Sequence, residues 1–159
     1  MTAAGRRTLV LGIGNLLMGD EGVGVHAVAA MRDDPWPAGV TVVDGGTGGF
    51  HLLEYFQAYD HVVLIDATMD GQPPGTVRVL RPRYASDYPR TLTAHDIGLK
   101  DLVESAALVG ARPAVTLVTV SIERIAPMET ALSAAVAAAI PGVRAIVQRL
   151  VAQETTAHA

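Results

Sequence analysis

Apolar and polar positions alternate in blocks along this chain. A continuous apolar run within Arg7–Ile13 predicts a buried strand. After a short loop at Asn15–Gly19, apolar residues recur at Val23, Val25, Ala27, Val28 and Met31. That is helical spacing over Glu21–Arg32, with Asp20 placed to cap it. Pro35, Pro37 and Gly39 punctuate the chain before a second strand, Val40–Val43, which runs into Asp44 and the stretch GGTGG. Phe50–Tyr59 reads as a second helix and His61–Asp66 (HVVLID) as a third strand. In Thr76–Leu80, Val77 and Val79 alternate with Arg78, the pattern of a solvent-facing edge strand. Thr93–Val109 predicts a third helix, Ala114–Ile122 a fifth strand, and Met128–Val151 a last helix that Pro141-Gly142 should break or kink. The tail after Ala152 is polar and is expected to fray.

Strands alternating with helices indicate an α/β sandwich with a mostly parallel sheet. With 159 residues and no repeat or linker, a single domain across 1–159 is expected. Half the residues are hydrophobic, 18% are charged and the net charge is −4. This excludes a disordered chain and argues against nucleic acid as a partner. The absence of cysteine removes disulfides, thiolate metal sites and a cysteine nucleophile. No targeting segment and no apolar run of membrane-spanning length is evident, so a cytoplasmic protein with no membrane partner is expected.

In such folds ligands sit outside the carboxyl ends of the strands. Acidic residues gather there: Asp20 and Glu21 after the first strand, Asp44 at the end of the second, and Asp66 at the end of the third. Each has a plain structural explanation. Asp20 suits a helix cap, Glu21 a first helical turn, and Asp44 a glycine turn. Asp66 fits such an explanation least, since it follows four apolar strand residues where a charge is costly unless satisfied. Of the five histidines, His95 stands out. It lies in TAHDIGL, where Thr93 and Asp96 resemble a capping box, and a first helical turn can project into a crevice. Glu21, Asp66 and His95 together would be two carboxylates and an imidazole, a set with coordination positions left for water or substrate. It suits Zn, Ni, Mn or Fe(II) alike.

Other chemistries lack their signatures. Gly12 and Gly14 begin a dinucleotide-type fingerprint, but Leu17 stands at its third glycine position and an acidic pair follows. There is no GxxxxGK[ST], no HExxH and no GxSxG.

The segments LVLGIGNLLMGDEGVGVHAV, VVDGGTGG, HVVLIDA, PPGTVRVLRP and TAHDIGL, in this order and spacing, resemble the hydrogenase maturation endopeptidase family. The resemblance covers roughly two-thirds of the chain, from the first strand to about Leu102. It implies a three-layer sandwich, with a twisted, mostly parallel five-stranded sheet, an antiparallel edge strand and helices on both faces. It also implies an endopeptidase that removes the C-terminal extension of a nickel–iron hydrogenase large-subunit precursor. Matched by position, the family's metal-binding acid is Glu21, its strand aspartate Asp66 and its histidine His95. Its DGGT segment is Asp44–Thr47, which implicates Asp44 in substrate recognition or activity. Nickel would arrive with the precursor, with another divalent metal as its stand-in in vitro. Glu21, Asp66 and Asp44 are then the candidate catalytic residues, and Glu21, Asp66 and His95 the candidate metal-binding ones. Two alternatives use the same residues: a nickel metallochaperone that cuts nothing, and an autonomous metal-dependent hydrolase.

Overall fold

The computed structural model describes residues 6–47, 50–92 and 99–157. Its sheet has five strands: β1 (Thr8–Gly12), β2 (Val40–Asp44), β3 (His61–Thr68), β4 (Val77–Leu80) and β5 (Ala114–Ser121). Their order is β2-β1-β3-β5-β4. All neighbours are parallel except β4, which runs antiparallel along β5 at the edge. Among the described residues four α-helices cover it: α1 (Val23–Met31), α2 (Leu53–Ala58), α3 (Leu99–Leu108) and α4 (Ala134–Ala157). The expected α/β sandwich is the observed one.

Burial explains the layering. Every residue of β1 and β3 is buried, which is the fate of central parallel strands covered on both faces. Val10, Val63, Ile65, Val118 and Val120 point to the face that carries α1 and α4. Leu9, Leu11, Val62, Leu64 and Leu117 point to the other, packing with Phe56, Leu102 and Ala106 of α2 and α3. β2 and β4 are half-exposed edges, and Val77 and Val79 turn inward as their alternation predicts.

The ends of several elements differ from expectation. Helix α1 begins at Val23, because Gly19–Gly22 forms a tighter 3₁₀ turn. Phe50–Leu52 is likewise 3₁₀ before α2. Strand β3 continues two residues past Asp66. Helix α4 starts at Ala134 rather than Met128, runs unbroken through Pro141, and continues to Ala157 where a frayed tail was expected. Pro141 sits on the exposed face, so its ring takes no room from the core and only one helical hydrogen bond is lost. The expected helix start at Thr93 lies outside the described residues, as do residues 158–159.

No unbroken apolar run of membrane-spanning length was expected, and Arg144, Gln148 and Arg149 do interrupt the last helix. By length and composition alone, Ala134–Gln153 is nevertheless long and apolar enough to cross a membrane, with mean hydropathy 1.4. In the fold, however, Val136, Val143, Val147 and Leu150 of this helix are buried in the core beside α1. On its outer side Arg144 and Gln148 bind Asp34 in the loop after α1.

One buried group carries a pH signature. Burial pushes the Tyr88 phenol above its ordinary value of 10.0, and the charge of Asp87 adds to this. The unfolded chain therefore loses this proton first as pH rises, so stability should fall above about pH 10, by up to about 1.4 kcal/mol per pH unit. Tyr88→Phe should lose that part of the alkaline slope in urea titrations. An unchanged slope would remove Tyr88 as its source.

Candidate active site

The carboxyl ends of β1, β2 and β3 form one edge of the sheet, and the loop after β1 is folded tightly onto it. The amide of Ile13 donates to Ile65 O of β3 (3.0 Å), and that of Gly14 to Gly46 O beyond β2 (2.8 Å). At Gly14 a Cβ would lie 2.3 Å from Glu21 O, so the loop closes only on a glycine. The next residue aims the acid. Asn15 Oδ1 accepts the Leu17 amide (2.9 Å), and the Asn15 amide donates to Glu21 Oε2 (2.7 Å). The 3₁₀ turn that carries Glu21 packs directly on β3.

Asp66 lies on β3, opposite Thr119 of β5 and one position beyond Ile65, the partner of β1's last residue. It is fully buried, and its Oδ1 accepts the Ala67 amide (2.8 Å). Glu21 is only 6% exposed. Two nearly buried carboxylates on adjoining elements are costly unless a proton, a hydrogen-bonded cation or a metal offsets them. Glu21 and Asp66, two of the three expected ligands, thus lie on neighbouring elements at the same edge of the sheet.

The third, His95, lies outside the described residues. The chain leading to it is anchored at the same edge. Thr91 O accepts the Met69 amide (2.9 Å), Thr91 Oγ1 meets Thr68 Oγ1 (2.6 Å), and Leu92 bridges to Thr68. Among the described residues, no three His, Cys, Asp or Glu side chains form a metal-holding group.

Asp44 occupies the margin. It is exposed, its Oδ1 accepts the Gly46 amide (2.7 Å), and it pairs with Gly12 of β1. Two strand spacings separate its backbone from β3, about 10 Å. Asp20 has a different job from the one expected. Its two oxygens accept the amide and hydroxyl of Ser133, each at 2.7 Å, so it anchors the start of α4 rather than capping α1. Asp20→Ala should cost about 1 kcal/mol in a denaturant melt, as lost caps do. No loss would mean that Ser133 finds solvent equally good.

Two features were not singled out from sequence. Asn15, whose backbone amide holds Glu21, was read only as loop. Exposed apolar side chains also stand near this edge. Leu16, Leu17 and Met69 are exposed at the ends of β1 and β3. Met128, in the left-handed region at φ 64°, is exposed in the loop that bridges Met18 through Glu129. Leucines in a polar strand-to-helix loop were the visible sign. The other described histidines do not join the acids as a metal-holding group. His26 is half-buried on α1, and His61 stands at the opposite end of β3.

Comparison with known proteins bears on this edge. A family model described as hydrogenase maturation protease matches residues 25–150. The hydrogenase expression/formation protein HupM of Azotobacter chroococcum mcd 1 is 38% identical over 71% of this chain and 56% of its own length. The hydrogenase 2 maturation protease of Escherichia coli (strain K12) is 35% identical over 76% of each chain. Among solved structures, the hydrogenase maturating endopeptidase HybD from E. coli superposes with TM-score 0.83 at 32% identity, covering 92% of this chain and 93% of that one. The chain spans about half the length of several curated relatives it matches, 52–57% for three of them.

Proposed function

The chain belongs to the hydrogenase maturation protease family, and from that premise we propose that it is an endopeptidase acting on a nickel–iron hydrogenase large-subunit precursor. It removes the precursor's C-terminal extension and works in the cytoplasm. The observation that carries this reading is the pair of nearly buried carboxylates, Glu21 and Asp66, each held by a backbone amide at the carboxyl edge of the sheet.

In this reading the metal belongs to the substrate. Nickel already inserted in the precursor is met by Glu21, Asp66 and His95. Both carboxylates are oriented before the substrate arrives, so little reorganisation is needed on docking. A metal so held can polarise a nearby carbonyl or water. Asp44, exposed at the margin, has the solvent access to orient the attacking water. Leu16, Leu17, Met69 and Met128 supply an apolar rim against which a protein substrate can seat.

Nickel-gated docking separates this reading from a metallochaperone and from an autonomous hydrolase. The purified protein should contain no stoichiometric metal and should co-elute with the nickel-loaded precursor but not with the nickel-free one. Leu17→Asp should weaken that complex by roughly tenfold or more. Tightly held metal in the protein alone would favour the autonomous hydrolase. Uptake of nickel from the precursor without cleavage would favour the chaperone.

A further inference from the structure

At the other end of the sheet, β4 stops abruptly. Its last pair is Leu80 with Leu117. The next hydrogen-bonded position would set Pro82 against Val115, and proline has no N–H to donate. The chain leaves the strand there, and β5 continues unaccompanied on that side through Ala114–Thr116. The space this opens is a cleft of about 590 Å³, within the range of small-molecule sites.

Its lining is divided by chemistry. Phe56, Tyr88, Val103 and Ala107 form an apolar wall from α2, α3 and the segment between β4 and α3. At the inner end His61 Nε2 and Thr116 Oγ1 are hydrogen-bonded at 2.8 Å, both residues being about 95% buried (4% and 5% exposed). Three arginines, Arg81, Arg83 and Arg112, line the cleft and are exposed. Among the described residues none of the three has an ion-pair partner. The lining holds a single carboxylate, Glu104. Asp87, nearby in sequence, is engaged by the amides of Arg83 and Tyr84, both at 3.0 Å. The cleft therefore offers an apolar interior beneath an excess of guanidinium charge.

We propose that this cleft is a second ligand site, for a small amphipathic anion whose apolar body lies against Tyr88, Val103 and Ala107 and whose carboxylate or phosphate meets Arg81, Arg83 and Arg112. Arginine forks suit either headgroup. The site is separate from Glu21 and Asp66. His61 and Asp66 lie five residues apart on β3, about 16 Å along the strand.

The test uses ¹⁵N-labelled full-length protein and 2-naphthoate as probe, with neutral 2-naphthylmethanol as control and naphthyl phosphate as the second headgroup. Naphthoate should shift the amides of Val103–Ala107, Val115 and Thr116 saturably, while those of Gly14–Glu21 stay in place. The alcohol should bind roughly tenfold more weakly, as should naphthoate to Arg83→Glu or Arg112→Glu. Ala107→Trp, which fills the apolar wall, should abolish the saturable shifts while the remaining spectrum stays folded. Comparing naphthoate with naphthyl phosphate tells which headgroup the arginines prefer; tighter binding of either than of the alcohol supports the site. No saturable shift with either anion, equal binding of the alcohol, or indifference to both charge reversals would overturn it.

Discussion

Asp66→Asn and Glu21→Gln should each slow processing of a nickel-loaded precursor by roughly 10²–10³-fold. Both substitutions keep size and shape and remove a charge. The backbone amides of Ala67 and Asn15 would still find an amide oxygen, so the local fold should hold. Stability should change little, because side-chain size and the two backbone amide contacts are kept. The pattern to look for is thus a near-normal melting temperature with unprocessed precursor. The double variant should be little worse than either single one, since ligands to one metal act as a unit. Asp44→Asn should behave differently, slowing cleavage while leaving the nickel-dependent complex intact. Intact-mass time courses beside thermal melts check all of these. Processing at the normal rate in both single variants would dismiss the acids as the working groups.

Gly24→Ala should be among the most damaging substitutions in the chain. Helix propensity alone favours alanine over glycine by about 1 kcal/mol in a helix interior. Here the geometry prevails. A Cβ at position 24 would stand 2.3 Å from Ile13 O and 2.4 Å from Ile65 O, and both are backbone atoms that cannot rotate away. The reciprocal contact is as tight: a Cβ on Gly12 would lie 2.1 Å from Gly24 O. Helix α1 therefore rests directly on the ends of β1 and β3, where the site is built. Relieving the clash means lifting the helix, at a cost on the order of 3 kcal/mol or more. Gly142→Ala is the control. It sits within α4 with nothing within 4 Å of its Cβ position, so it should stabilise by up to about 1 kcal/mol. Urea titration of both variants reads the contrast. Equal and opposite-to-expected shifts would mean that the helix has more freedom on the sheet than these contacts allow.

What the sequence discloses here follows from the range of the interactions involved. The strands were legible because buried parallel strands are written as short apolar runs, and the α/β class follows from their alternation with helices. Asp66 was legible because a charge behind VVLI has no cheap structural explanation. The ends of helices were less so, because they depend on partners distant in the chain. Helix α4 begins where Ser133 meets Asp20, 113 residues away, and no local signal carries that pairing. The same contact explains why Asp20, a good local cap for α1, serves elsewhere. Lateral position was also hidden. Asp44 and Asp66 both read as strand ends, but only the order β2-β1-β3 shows that β1 stands between their strands. Asn15 acts through its backbone amide, which every non-proline residue has, so nothing in its side chain announces the role.

On the proposed reading, this edge of the sheet cuts a hydrogenase precursor in response to its nickel. The most direct measurement is the intact mass of a co-encoded large-subunit precursor after incubation with the purified protein, once nickel-loaded and once nickel-free. Loss of a short C-terminal peptide from the loaded precursor alone, absent with Asp66→Asn, is the predicted result. An unchanged mass for a loaded precursor of the matching hydrogenase, or equal cleavage with and without nickel, would contradict it.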